Sequence, residues 1–276
     1  MIRICHIILF FLTISFTHSS CQVNKVVQVE NEFESNADYL ITGDFKILDT
    51  DKLGNIYLVD NDNEIRQYDK NLSLLFRYSL NSLGDIHHID VSNPHKILVY
   101  YPDFQNVLFL DNTLSEQKTL NLNVLGYWNT TGMALSRENN IWTYNTIDNN
   151  LIKINDQGKK LLSSNELFFE DPLELESIKI YEQEGRLYLY DNSVIHVFGN
   201  FGEYITRHLI SNQDCQFTKE GIYYLSNHSI KYRSFSIQFD QADILIYAAE
   251  NVRDFHVTNR VVYILDKHGL FSTPKF

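Results

Sequence analysis

The stretch Gly54-Asn55-Ile56-Tyr57-Leu58-Val59-Asp60 reads as a tight turn followed by a buried strand. Close relatives of it return along the chain: Lys96-Ile97-Leu98-Val99-Tyr100-Tyr101, Asn140-Ile141-Trp142-Thr143-Tyr144-Asn145, Arg186-Leu187-Tyr188-Leu189-Tyr190-Asp191, Gly221-Ile222-Tyr223-Tyr224-Leu225-Ser226 and Val261-Val262-Tyr263-Ile264-Leu265-Asp266. The apolar starts fall at 56, 97, 141, 187, 222 and 262, at intervals of 41, 44, 46, 35 and 40 residues. Propeller blades of four strands repeat at about 40–50 residues. The repeat therefore predicts an all-β, six-bladed β-propeller.

The flanks repeat with the core. A strand precedes each copy, as in Phe45-Lys46-Ile47-Leu48, Ile86-His87-His88-Ile89 and Phe255-His256-Val257. A third follows, as in Glu64-Ile65-Arg66-Gln67-Tyr68 and Val194-Ile195-His196-Val197-Phe198. Turn residues that tolerate positive φ then close a hairpin, as in Asp69-Lys70-Asn71 and Asn155-Asp156-Gln157-Gly158. The second strand sits between neighbouring blades, so it reads as a nearly continuous apolar run. The fourth lies at the rim and carries charge, as in Leu74-Leu75-Phe76-Arg77-Tyr78. A helical period of 3.6 is absent, and a transmembrane barrel would alternate without this repeat.

The spacing places the blades at about residues 45–80, 85–122, 131–164, 176–210, 214–248 and 252–276, with residues 24–33 added to the last. The last copy lacks a fourth strand. Val26-Val27-Gln28-Val29 is expected to supply it, fastening the last blade to the first and removing an exposed edge.

Composition narrows the function classes. The 276 residues are 44% apolar and 13% aromatic, with Tyr 17 and Phe 18, enough for one large β core. The net charge of −12 repels phosphate backbones and anionic headgroups, which argues against nucleic acid and against direct membrane binding. Residues 1–20 read as a signal peptide: Arg3, then an apolar stretch from Ile7 to Phe16, then Ser19 and Ser20. That stretch is too short to span a bilayer. Cys21 follows directly and resembles the acceptor of a bacterial lipobox, which implies acylation; plain secretion with cleavage near Ser19 is the alternative. Cys215 falls on an innermost strand and Cys21 outside the rim, too far apart for a disulfide.

The repeat resembles the six-bladed β-propeller lipoproteins of bacterial envelopes, distantly akin to the NHL and lactonase-like propellers, over about residues 24–276. The resemblance implies an outer-membrane-anchored protein facing the periplasm or the cell surface, joined to the membrane only through its lipid, with a protein partner in the envelope. It also implies a non-enzymatic accessory role in an outer-membrane assembly or secretion machine.

Candidate site residues come from shared register. Asp44, Asp85, Asp214 and Asp254 each stand at the entry of an innermost strand. As a tunnel-mouth ring they would suit Ca²⁺, a hard cation that takes oxygen ligands, or a basic partner. They would equally accept backbone N–H groups at the strand entry, with no cofactor required. His87 and His256 each lie two residues after such an Asp and are candidate tunnel histidines, readable as acid–base pairs with Asp85 and Asp254 or as packed core residues. Tyr101, Phe104, Tyr127 and Trp128 fall in loops expected on one face and are candidates for contact with a partner, a glycan or a peptide. No nucleophile elbow, H-E-x-x-H, Walker A or zinc-spaced cysteine pair is present. A metal-dependent lactonase or hydrolase is the enzymatic alternative, and glycan or peptide capture a third.

Overall fold

The computed structural model describes residues 38–169, 173, 175, 178–191, 193–210, 214–235, 243–248 and 251–275. The signal peptide, Cys21 and residues 24–33 lie outside the described residues.

The chain opens with β1 (Ile41–Thr42). Blade 1 holds β2 (Phe45–Thr50), β3 (Ile56–Asp60), β4 (Glu64–Tyr68) and β5 (Leu74–Ser79). Blade 2 holds β6 (His88–Asp90), β7 (Ile97–Tyr101), β8 (Asn106–Leu110) and β9 (Glu116–Asn121). Blade 3 holds β10 (Thr130–Leu135), β11 (Ile141–Asn145), β12 (Asn150–Ile154) and β13 (Lys160–Ser163). Blade 4 holds β14 (Lys179–Gln183), β15 (Arg186–Tyr190), β16 (Val194–Phe198) and β17 (Tyr204–Leu209). Blade 5 holds β18 (Asp214–Phe217), β19 (Gly221–Ser226), β20 (Ser229–Ser234) and β21 (Ile244–Ala248). Blade 6 holds β22 (Asp254–Val257), β23 (Val261–Leu265) and β24 (Gly269–Pro274). Each blade is a four-stranded antiparallel sheet, and the fourth strand of blade 6 is β1. The fold is a six-bladed β-propeller, with an N-terminal strand completing the last blade.

The apolar second strands have a direct structural cause. Successive residues of a strand face opposite sides of the sheet. In β7, Ile97, Val99 and Tyr101 pack toward blade 1, while Leu98 and Tyr100 pack toward blade 3. In β3, Tyr57 and Val59 pack toward blade 2, while Ile56 and Leu58 pack toward blade 6. The same division repeats around the ring, so the described residues form six apolar clusters, one at each seam between blades.

Closure is made by an N-terminal strand, as expected. Beside β24 stand Ile41–Thr42, paired with Leu270 and Gly269; Val26–Val29, the segment expected to fill this position, lie outside the described residues. The N–H of Leu40 donates to Leu270 O at 2.8 Å, and the Tyr39 ring lies edge-on to Phe271. The repeat ends without its fourth strand, and the nearest upstream β pair able to reach the open edge of β24 is the one just ahead of β2. Among the described residues no helix is long and apolar enough to cross a membrane.

Gly269 makes this seam possible. Its φ of +148° is one that L side chains rarely adopt, and a Cβ there would overlap the carbonyl oxygen of Ile41. Gly269→Ala should therefore cost more than about 2 kcal/mol, from overlap and backbone strain together. Gly126, at positive φ with open space around it, is the control: Gly126→Ala should cost only the backbone term, about 1–2 kcal/mol. Thermal melts that rank the two the other way would refute this account of closure.

Candidate functional site

The innermost strands surround a cavity of about 1090 Å³. Pairing with the second strands decides which residues are level within it. The layer near the strand starts holds Ile47, His88, Thr131, Lys179, Asp214 and Asp254, opposite Val59, Tyr100, Tyr144, Tyr190, Leu225 and Leu265. Two positions further along stand Asp49, Asp90, Tyr181, Gln216 and His256. Blade 3 departs from the pattern. A bulge between Thr131 and Met133, with Gly132 at φ +62°, turns Ala134 into the apolar seam with blade 4. The cavity is accordingly lined by blades 1, 2, 4, 5 and 6.

Each seam carries a polar link close to the axis. Asp49 Oδ2 accepts the Val91 N–H at 3.4 Å, joining blades 1 and 2. Asp90 Oδ2 accepts the Leu135 N–H at 2.7 Å, joining blades 2 and 3. Glu182 accepts the Arg137 N–H at 2.9 Å and the Trp142 Nε1–H at 2.8 Å, joining blades 3 and 4. Lys179 Nζ donates to Asp214 Oδ1 at 2.8 Å across the next seam. Gln216 Oε1 accepts the Val257 N–H at 2.6 Å, and Asp254 Oδ2 accepts the Leu48 N–H at 2.7 Å, which completes the circuit.

Burial sets the ionisation of this layer. Burial pushes the Asp214 carboxyl up, but the Lys179 ammonium beside it outweighs that and holds it below the usual range. Burial and the neighbouring Asp214 charge drive Asp254 well above the usual range. Burial, reinforced by Lys179, pushes His88 down to about 4. The His88 ring meets Tyr181 edge-on, at 6.3 Å between centroids.

The expected acidic ring does not form. Asp214 and Asp254 face the cavity in one layer, each also accepting the N–H of the residue after it, at 2.8 and 2.7 Å. Asp44 lies ahead of β2, exposed and bonded to Arg253. Asp85 lies three residues ahead of β6, exposed, accepting the Asn63 Nδ2–H at 2.9 Å. The physical reason is register: the first strands start at different distances from their acidic residues, and a bulge at Phe45–Ile47 shifts β2. Four carboxylates with separate partners do not converge on one cation, and among the described residues no group of three or more His, Cys, Asp or Glu side chains is placed to hold a metal ion.

The histidines are re-sorted by the same rule. His88, level with Asp254, occupies the upper layer, and His256 occupies the layer below it. His256 Nδ1 lies 3.0 Å from Asp49 Oδ1 of blade 1, so its carboxylate is Asp49 rather than Asp254. His87 lies against the Tyr100 ring at 6.4 Å. Cys215 is a free, buried thiol pushed well up by burial, and so inert.

The aromatic loop residues separate into two kinds. Phe104 and Trp128 are each 57% exposed. Tyr101 is 0% exposed in the seam between blades 1 and 2, and is unavailable to a partner. Tyr127 packs against the seam between blades 2 and 3, and its hydroxyl donates to Gly158 O at 3.0 Å. Three further exposed apolar residues on loops at the same ends of blades 2 to 4, Val124, Ile147 and Leu175, were not expected from sequence. Exposed loop apolars resemble core residues in sequence, and only their exposure in the folded chain distinguishes them.

No protein-family model matches the chain, and no curated protein matches it in sequence. Solved structures do resemble it. A catalytically inactive virginiamycin B lyase from Staphylococcus aureus, solved with quinupristin, superposes with a TM-score of 0.57 at 13% identity, covering 83% of this chain and 79% of that one. A protein of unknown function from Bacteroides caccae gives 0.52 at 11% identity, over 82% and 81% of the two chains. BBS1N, solved in complex with ARL6, gives 0.50 at 12% identity, over 84% and 77%. At these identities the likeness is one of fold.

The buried His88 makes stability depend on pH. The unfolded side chain takes up a proton near its ordinary pKa of about 6.5, whereas the folded one does so only near about 4. Between those values the unfolded state binds more protons, so stability falls as pH falls through the window. His196, buried in blade 4 and also pushed down to about 4, adds to the same slope. In His88→Gln the decline in melting temperature from about pH 7 to about pH 4 should become shallower than in the wild type, with His196, His208 and the depressed carboxylates supplying the remainder. A variant curve parallel to the wild type would show that His88 is not held neutral.

Proposed function

We propose that this chain is a non-enzymatic binding or scaffold propeller that engages a protein partner through the apolar loops of blades 2 to 4. The observation that carries this reading is the exposure of Phe104, Trp128, Val124, Ile147 and Leu175 on loops tied into one surface. Asn121 Nδ2 donates to Phe104 O at 3.1 Å, and its Oδ1 accepts the Val124 N–H at 2.9 Å. Gln105 Oε1 accepts the Thr130 N–H at 2.9 Å, the Thr146 N–H donates to Asn129 O at 3.1 Å, and Thr131 Oγ1 donates to Leu175 O at 3.2 Å. Apolar side chains held out by a fixed backbone lose little entropy on binding, which is what an interface anchor requires.

The fold does not choose between uses. Among the similar structures one is a lyase and another was solved with a protein bound, and a shared fold hosts unrelated functions. The loops and the carboxylates favour the first reading. Tyr127 is committed to the seam, and the exposed rings of Phe104 and Trp128 stand with aliphatic Val124, Ile147 and Leu175, a composition that suits an apolar protein contact better than a glycan. A metal-dependent hydrolase needs convergent oxygen ligands, and the candidate carboxylates are apportioned to separate partners. The signal-peptide and Cys21 pattern supports an exported protein, tethered by lipid to the outer membrane as an accessory subunit of an envelope assembly.

Crosslinked capture from envelopes tests the interface. Phe104→Ser/Trp128→Ser should lose the partner that the wild type captures, while unfolding free energy changes by no more than about 0.5 kcal/mol per site. Undiminished capture would sink the reading. Cys21→Ser should move the protein from the membrane fraction to the soluble one, and retention in the membrane fraction would overturn the anchor.

A further inference from the structure

The cavity lies apart from the apolar loops. Its mouth is formed by the turns after the innermost strands, including Lys52, Ser92, Lys219 and Arg260, whereas Phe104 and Trp128 belong to loops at the other ends of those strands. The charges at this mouth are not matched. The carboxylates along the wall are already engaged: Asp49, Asp90, Glu182, Asp214 and Asp254 accept the seam bonds described above. Asp51 accepts the Leu53 N–H at 2.8 Å and the Asn55 Nδ2–H at 2.8 Å. Deeper cations are engaged too, Lys179 with Asp214 and Lys46 Nζ with Asn63 Oδ1 at 2.8 Å.

Four cations at the mouth are left over. Lys52, Lys70, Lys219 and Arg260 line it, and among the described residues their side chains make no ion pair or hydrogen bond. Two carboxylates stand with them, Asp51 and Glu220, so the rim carries four cations against two anions. In a chain of net charge −12, a surplus of unpaired positive charge gathered at a single opening is opposite in sign to the protein's overall field. Low-dielectric walls strengthen the attraction of such a rim for an anion.

The interior supplies a second, independent sign of a ligand. His88 and the Tyr181 hydroxyl face the cavity, and among the described residues neither has a hydrogen-bond partner. Both groups are reachable from the cavity, so a bound molecule can take up their hydrogen bonds in place of solvent. His88 is held neutral by its surroundings, so it offers a hydrogen bond rather than a charge. The volume of about 1090 Å³ is just above the range of about 300–1,000 Å³ for small-molecule sites and far too small for a folded chain, so the occupant is a compact molecule.

We infer that this cavity is a binding site for a small polyanion: a polar molecule bearing two or more carboxylate, phosphate or sulfate groups, held by Lys52, Lys70, Lys219 and Arg260 at the mouth and by His88 and Tyr181 within. The site is independent of the apolar loop surface, so either can fail without the other.

Isothermal titration of the purified protein tests it with three probes: citrate for carboxylates, inorganic pyrophosphate for phosphates and a sulfated heparin disaccharide for sulfates. At least one probe should bind, more weakly as salt rises. Lys219→Gln/Arg260→Gln should weaken that probe by about tenfold or more, while Lys118→Gln/Lys231→Gln, which removes equal charge away from the cavity, should change it by less than about threefold. The probe that binds identifies the acidic group. Tyr181→Phe, which keeps the ring, should weaken the same probe by about threefold or more. Absence of binding by all three probes would overturn the inference. So would equal weakening in the rim and control variants, which would mean diffuse surface attraction, or wild-type binding by Tyr181→Phe.

Discussion

Each second strand in this protein must be covered on both faces. Tyr57, Leu58 and Val59 are adjacent in sequence, point to opposite sides and are all fully buried. Fully burying one such side chain stabilises by about 1.5–3 kcal/mol, so a blade without a neighbour on each side would forfeit a large part of its stability. An open row of such blades would always leave two apolar faces exposed. Bending the row into a ring is the arrangement that covers all of them, and it makes the last seam as important as any other. That is why Phe45, Leu48 and Leu58 of blade 1 meet Leu265 and Leu270 of blade 6, and why Gly269 yields its side-chain space to Ile41.

A ring closed by apolar seams brings its innermost strands together around an axis, and the polar residues there have to be satisfied. The protein does this mainly with acidic and amide side chains that reach across to the next blade's backbone. Asp49, Asp90, Gln216 and Asp254 each accept an N–H from an adjacent blade, and Glu182 does so in the reverse direction. These bonds link seam to seam close to the axis, where a break in any one would leave a buried polar group unpaired. They also explain why carboxylates that look like a metal site in sequence are occupied by structure.

The same allocation separates two surfaces. The acidic groups of the seams are directed at the next blade's backbone, and among the described residues the cations at the cavity mouth make no ion pair. On the far side, the longer loops of blades 2 and 3 are tied down by Asn121, Gln105 and Thr146, and hold Phe104 and Trp128 in solvent. Rigid backbone on one side and unmatched charge on the other are both consequences of the ring.

The six repeats and the type of their strands were legible in the residues alone, because double-sided burial writes a continuous apolar run at each second strand and hairpin chemistry writes a turn after most third strands; the short closing strand Ile41–Thr42 was not. The 40-residue spacing converted those runs into six blades. Which residues share a level around the axis was not legible. Asp44 and Asp85 resemble Asp214 and Asp254 in sequence, yet only the latter pair faces the cavity, because pairing with the second strand and the bulge at Phe45–Ile47 decide the register. Tyr101 and Trp128 are both loop-side aromatics in sequence, and only packing between blades makes one a core residue and the other a free ring. The local chain determined the blades; contacts between strands far apart in sequence decided the site, since burial, register and the pairing of charge exist only once the ring has closed.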